Sequence, residues 1–429
     1  MTDMKISQTN DELKLRAHAV LPGGHFGNMA SDIVIAKGKE ARIWDNHGNE
    51  YVDFLLGSGP MFVGHAHPKV TEAVLNQVPN GTTFFANNEH GIKLAEEICA
   101  AVDCVDQVRF VSSGSEATLY AMRIARAYRG RDKILKFEGG YHGMSDYSLM
   151  SLAPKTLSNF PQAIPDSPGI PEKVSEEVII APFNDVEMFK SIVSEHHDQL
   201  GAVIVEPFQR LIPPAPGFLE LLREITLQYD IPLIFDEIVT GFRFSYGGAQ
   251  EFYSVTPDLC SLGKIIGGGF PLAAVGGRAD LMQLFDKDAV GEKHFLPQIG
   301  TLSGNPVASA AGLATLEILK SRTAYETVFD TGRTLMAELE AAMKDFGHSA
   351  TVIGEPPLFD VFFTDDEITD YRGILKADSK KGSAFNQLLR SNQVFKGDSK
   401  FYVSLAHTNE DTDLTVNAIR EAARALKDL

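Results

Sequence analysis

Cysteine is scarce in this chain, with three in 429 residues. Cys99, Cys104 and Cys260 are an odd number without a CxxC pair, which argues against a disulfide framework or a cysteine-built zinc site and for ordinary thiols in a reducing compartment. A basic excess is lacking as well. Lys and Arg number 39 against 57 Asp and Glu, a net charge of −18, and no basic stripe offsets it. Polyphosphate and anionic surfaces are repelled, so neither nucleic acid nor membrane is expected as a partner. No run of roughly 18 apolar residues exists, and the polar N-terminus has no apolar signal core. The expected location is the cytoplasm. His65, His67 and His142 lack metal-ligand spacing with nearby carboxylates, so no metal is expected. Internal repeats and low-complexity tails are also missing.

What the chain does have is material for a large core. Hydrophobic residues make up 44% and charged residues 22%, and the length exceeds one domain of roughly 150 residues. Short β-rich runs at 108–112, 133–137, 178–181, 202–205, 232–235, 259–261 and 272–275 alternate with helical periodicity at 116–128, 186–196, 218–228 and 280–285. That alternation predicts an α/β domain around a parallel or mixed sheet. Strands at 33–37, 41–44 and 51–54 precede it. After Asn305-Pro306 come a long helical stretch, strands at 358–363 and 401–405, and a closing helix over 411–429, so the two ends are expected to share a smaller domain. Segment 151–173 carries Pro154, Pro161, Pro165, Pro168 and Pro171. So long a proline-rich connection reads as a loop over the active site.

Three elements carry chemistry. In the first, the strand 108–112 runs through Ser113, Gly114 and Ser115 into a helix, whose free N–H groups and hydroxyls suit a phosphate; a plain capping serine gives the same pattern. In the second, an apolar strand delivers Asp236 to its C-terminal end, the ligand side of α/β folds. The third is Leu262-Gly263-Lys264-Ile265-Ile266, a lysine among glycine and apolar residues, either partly desolvated and nucleophilic or packing its stem with the ammonium in water. Taken together they match the needs of pyridoxal phosphate: a lysine for the Schiff base, a carboxylate for the pyridine nitrogen and a phosphate cradle. Tyr141 offers a ring for stacking, its alternative being a core aromatic.

At this point the chain resembles the class III aminotransferases. Ser113-Gly114-Ser115-Glu116-Ala117, Gly140-Tyr141-His142-Gly143, Val205-Glu206-Pro207, Phe235-Asp236-Glu237-Ile238, Leu262-Gly263-Lys264 and Gly300-Thr301 occur in that family's order over roughly residues 20 to 425. Within the family the chain is most similar to glutamate-1-semialdehyde aminomutases and neighbouring β-amino-acid transaminases. The resemblance implies the α/β PLP fold type I, with residues 66–310 as the large domain and 1–65 and 311–429 forming the small one. It implies a homodimer with shared active sites, in which Thr301 reaches the neighbour's phosphate. It also places Ile238 beneath the ring, Glu206 near its pyridine side and His142 in the cofactor shell, and it supports a lid at 151–173.

Departures from the aminomutases bear on the substrate. Their entry segment Pro-Gly-Gly-Val-Asn-Ser-Pro-Val-Arg, whose arginine binds the substrate carboxylate, is replaced here by Pro22-Gly23-Gly24-His25-Phe26-Gly27-Asn28. Ser58 stands where a tryptophan is expected, and Lys396-Gly397-Asp398-Ser399-Lys400 replaces a Ser-Gln-Phe-Glu stretch. Arg210 and, more weakly, Lys400 are candidate carboxylate partners, and a solvated arginine covering apolar surface is the other reading of Arg210. The expected activity is amino transfer between a small amine or amino-acid donor and a carbonyl acceptor. The alternative is an intramolecular aminomutase, and a racemase or epimerase comes third.

Overall fold

The computed structural model describes residues 10–29 and 33–427 and divides them between two compact units. The larger spans residues 69–325 and 366–377; the smaller comprises the described residues of 1–68, 326–365 and 378–429.

The larger unit is built on seven strands: β1 Gln107–Val111, β2 Lys133–Phe137, β3 Val178–Ala181, β4 Leu200–Val205, β5 Leu233–Glu237, β6 Leu259–Leu262 and β7 Ala273–Gly277. Their spatial order is β1-β7-β6-β5-β4-β2-β3. All are parallel except β7, which runs antiparallel to both neighbours. Strands β3, β4, β5, β6 and β7 are buried at every residue, as a sheet covered on both faces requires. Consequently β1, β2, β4, β5 and β6 end on one edge, and the segments carrying Ser113, Tyr141, Glu206, Asp236 and Lys264 all leave from it.

The helix Gly114–Arg129 follows β1 without a loop. Ser113 accepts from the Glu116 N–H, and the Glu116 carboxylate accepts from the Ser113 N–H, a reciprocal cap. The expected long helix after Asn305 is two, Pro306–Leu319 and Arg322–Asp345, and the first belongs to the larger unit, beyond the boundary expected at 310. The reason is composition: ten of its residues are buried, so it packs as a core helix and not as a surface one. A Cβ on Gly312 would collide with the Ile266 carbonyl, so this helix backs the turn that holds Lys264.

In the smaller unit, strands Ile35–Lys39, Arg42–Asp45, Glu50–Asp53 and Val394–Phe395 form one sheet, and Thr351–Glu355, Leu358–Phe362 and Phe401–Tyr402 form another. The strand expected over 401–405 shortens because Ser404 turns back to His407. The closing helix is Asn409–Leu426, capped by Thr408 and Asp411; residues 428 and 429 of the expected span lie outside the described ones.

Segment 151–173 is tied down along its length. Ser151 N–H donates to the Ile164 carbonyl at 2.7 Å, and Ile180 N–H on β3 donates to the Pro161 carbonyl at 3.0 Å. Arg372 donates to both Glu138 oxygens, at 2.7 and 3.0 Å, and to the Ser158 carbonyl at 2.8 Å. Lys136 on β2 is buried, with Nζ donating to the carbonyls of Ser148 and Met150, at 2.9 and 2.7 Å, just before the segment begins. Burial pulls its pKa down to about 7, opposed by Glu206 and Asp166. Between about 7 and the ordinary value of 10.5 the unfolded chain holds a proton that the folded chain does not. The stability cost of this lysine is therefore greatest below pH 7 and shrinks as pH rises through that window. Lys136→Met is expected to melt higher relative to wild type at pH 6 than at pH 9, and a pH-independent difference in melting temperature would show that the lysine does not titrate there.

Candidate active site

Asp236, in β5, lies opposite Ser261 of β6 in the parallel ladder. That register lets the Ser261 hydroxyl donate to one carboxylate oxygen at 2.8 Å, where the Ile238 N–H also donates at 3.2 Å. His142 Nδ1 meets the other oxygen at 2.8 Å. Asp236 is 4% exposed and His142 1%. The result is a buried carboxylate with one flank held by a hydroxyl and backbone and the other by an imidazole.

Lys264 follows β6 after one glycine and opens a single tight turn, Lys264–Gly267. Its φ is +48°, a left-handed conformation that costs a non-glycine residue on the order of 1–3 kcal/mol. The neighbours Ile265 and Ile266 are buried to 1% and 0%, and the Pro306–Leu319 helix backs the turn, so packing holds the strained conformation. Lys264 itself is half-buried.

Glycines bring the other segments together. A Cβ on Gly114 would sit 3.1 Å from Ile238 Cδ1, and one on Gly263 would sit 3.0 Å from the same atom. Ile238 is therefore packed against both the helix start and the lysine turn. A Cβ on Gly143, whose φ is +89°, would meet the Ser115 hydroxyl at 2.5 Å, and Met144 N–H donates to that hydroxyl at 3.1 Å. The loop bearing Tyr141 and His142 thus rests on the start of the Gly114–Arg129 helix. The first-turn N–H groups at Gly114 and Ser115 have no intrahelical partner; the Ser113 hydroxyl is taken up by the Glu116 cap.

Glu206, 6% exposed, accepts from the Tyr141 N–H at 2.8 Å, which fixes the loop while the Tyr141 side chain stays 40% exposed. The Arg210 guanidinium lies over the Tyr141 ring, 5.5 Å from its centroid, at cation–π range. Burial raises the tyrosine pKa, with Arg210 opposing. Arg210 has φ +64°, in a turn closed by reciprocal backbone bonds between Gln209 and Ile212.

The structure therefore brings together Gly114, Ser115, Tyr141, His142, Glu206, Arg210, Asp236, Ile238 and Lys264. Thr301 is exposed, and none of the described contacts joins it to this set. Ser58 and Lys400 belong to the smaller unit. Ser58 is exposed with φ +67°, and the Lys400 ammonium lies 6.0 Å from the Tyr402 ring. The neighbouring Lys396 is buried in an ion pair with Asp360 at 2.8 Å. Sequence reasoning missed Ser261, whose position on the strand after Asp236 was the available sign, and Gln209, for which no local sign exists. It also passed over Glu237, buried and accepting from the Ala249 N–H and the Gln250 amide; burial raises its pKa.

The Aminotransferase class-III family model matches residues 26–419. The glutamate-1-semialdehyde 2,1-aminomutase of Syntrophomonas wolfei is 38% identical over 426 residues, 96% of each chain. Among solved structures, an omega-transaminase from Sphaerobacter thermophilus superposes with a TM-score of 0.92 at 35% identity, over 99% of this chain and 98% of that one. A transaminase solved with PLP bound gives 0.89 at 28% identity, over 98% and 99%.

Proposed function

Because this chain belongs to the class-III aminotransferases, we propose that it transfers an amino group on a small carboxylated substrate, with Lys264 as the reacting amine and base. Membership brings the PLP fold type I, aminotransferase-type enzyme activity and pyridoxal 5′-phosphate as cofactor. When bound, the cofactor supplies an aldehyde and an electron-withdrawing pyridinium ring that acidifies the substrate carbon–hydrogen bond.

The observation that carries this reading is the pairing of a buried, doubly held Asp236 with Lys264 at the ends of adjacent parallel strands. Asp236 would hold the proton on the cofactor's pyridine nitrogen, since its carboxylate is buried and both of its oxygens are fixed by hydrogen bonds. The N–H groups of Gly114 and Ser115 and the Ser115 hydroxyl hold the phosphate at a helix N-terminus. Tyr141 and Ile238 provide the two apolar walls, and Glu206 keeps the tyrosine loop in place. Lys264 removes and returns the proton at the amine-bearing carbon. Thr301 serves the phosphate site of a second copy in a cytoplasmic homodimer, with sedimentation velocity as the direct check on the assembly.

Two versions of the transfer differ in where the amino group lands. The departures read from the sequence favoured transfer from an external donor to a separate acceptor. The relatives weigh the other way, because the name carried by the Syntrophomonas protein is that of an intramolecular transfer, and the aminomutase is the stronger of the two readings. The external transfer stays as the second, since 22–28 contains no arginine. Both need a carboxylate partner, and Arg210 beside Tyr141 fills that role. Losing one charge-assisted clamp costs about 2–4 kcal/mol, or roughly 30- to 1,000-fold in kcat/KM. Arg210→Ala is expected to lose that much on carboxylated substrates and to spare uncarboxylated amines. An equal loss on both would make Arg210 structural. Wild-type enzyme supplied with glutamate 1-semialdehyde alone, with product 5-aminolevulinate quantified, decides between the versions: rapid conversion establishes the aminomutase, and its absence beside turnover of external donors establishes the transaminase.

A further inference from the structure

His142 stands in a loop that follows β2 and belongs to no strand or helix, so no ladder fixes its place. Two buried hydroxyls converge on its main-chain carbonyl instead. Thr118 Oγ1 donates to that oxygen at 2.6 Å and Ser148 Oγ at 2.8 Å, which occupies both of its lone pairs. Thr118 Oγ1 also lies 3.2 and 3.1 Å from the carbonyls of Gly114 and Ser115, but a hydroxyl has one hydrogen, and the shortest contact is the one to His142. Ser145 Oγ lies 2.8 Å from Ser148 Oγ. Because the His142 carbonyl can only accept, the Ser148 hydrogen is committed to it and Ser145 is the donor of the serine pair.

The two hydroxyls reach the carbonyl from separate elements. Thr118 stands one turn into the Gly114–Arg129 helix; threonine is a poorer helix former than alanine, and here its hydroxyl is used outside the helix. Ser148 follows the loop, and its own carbonyl is held by the buried Lys136 at 2.9 Å. The other end of His142 is the imidazole, whose Nδ1 lies 2.8 Å from the Asp236 carboxylate. Only χ1 and χ2 join that ring to the main chain, so a carbonyl held from two sides leaves the ring little freedom to withdraw from Asp236.

We infer that Thr118 and Ser148 are positioning residues for the reaction, acting on Asp236 through the anchored main chain of His142. Thr118 thereby couples the helix start that would take the phosphate to the carboxylate that would take the pyridine nitrogen, two ends of one cofactor. The consequence for the reaction rests on the role of Asp236 proposed above, whereas the anchoring of the ring does not.

Three measurements on the holoenzyme test it. A crystal structure of the variant carrying Thr118→Val and Ser148→Ala together should show the His142 ring withdrawn from Asp236, beyond a hydrogen-bond distance of about 3.2 Å; a ring still at 2.8 Å overturns the inference. Thr118→Val, which keeps the shape of the side chain and removes its hydrogen, should lower kcat about three- to tenfold at nearly unchanged KM and cofactor affinity, and Thr118→Ser should restore most of the rate. A serine variant as slow as the valine one makes Thr118 a packing residue and overturns its role. Ser148→Ala leaves the helix untouched and should cost a similar factor. Activity is read with glutamate 1-semialdehyde, or with the external donor if that assay establishes the transaminase. The deciding comparison is the double-mutant cycle of Thr118→Val with His142→Ala. A residue acting through the imidazole costs nothing further once the ring is gone, and full additivity overturns the positioning role. Should the cofactor prove to be attached at a lysine other than Lys264, the proposed function fails while withdrawal of the ring in the double variant is still expected.

Discussion

Lys264→Ala is expected to abolish amino transfer and to leave the protein folded and able to bind pyridoxal phosphate noncovalently. No other lysine is delivered by a strand adjacent to that of Asp236 at this edge of the sheet. Lys136, the other lysine near the sheet edge, is spent on the carbonyls of Ser148 and Met150. Removing the side chain deletes both the amine and the base, so the loss is of the order seen when groups that act as a unit are removed, many thousand-fold or about 5–8 kcal/mol. The strained backbone at position 264 is held by the buried Ile265 and Ile266 and by the helix behind them, so the turn should survive. Borohydride reduction of the wild type followed by peptide mapping gives the direct check: the reduced cofactor belongs on the peptide containing Lys264, and its recovery on any other peptide overturns the assignment.

Asp236→Asn carries the second large effect. The oxygen that accepts from Ser261 and from the Ile238 N–H can remain an oxygen in the amide, so the strand pair should keep its shape. The NH2 then faces His142 Nδ1, which must present a lone pair, and the imidazole hydrogen moves to Nε2. A neutral amide cannot hold the pyridinium proton, and the half-reaction should slow by several orders of magnitude while cofactor binding weakens far less. Stopped-flow measurement of the donor half-reaction checks it. Rates near wild type in a folded, cofactor-loaded variant would mean that Asp236 only ties β5 to β6 and to the tyrosine loop.

These two residues were legible before any coordinates because each stands in a strongly patterned setting. Five apolar residues before Asp236 announce a buried strand, and the flanking glycine and isoleucines make Lys264 conspicuous. The elements around them were legible for the same reason, as β2, β3 and the helices Val186–His196 and Phe218–Gln228 occur with the expected bounds. The helices Pro68–Gln77, Glu89–Ala101 and Ser379–Ser391 were passed over, although apolar residues recur in them at helical spacing much as they do in Val186–His196.

The sequence by itself determined that this is an α/β chain with a lysine, a carboxylate and an anion-binding helix start at strand ends, because alternation of apolar and polar residues and local turn chemistry are properties of neighbours along the chain. Only the tertiary structure decided that Ser261 and His142 hold Asp236, that Gln209 donates to the Glu138 carbonyl, that Arg210 lies over Tyr141 and that the Pro306–Leu319 helix braces the lysine turn. Those contacts join residues from tens to almost a hundred positions apart. They are set by strand order, by register and by the close approach that Gly114, Gly143 and Gly312 permit, and none of these is a property of a local stretch of sequence.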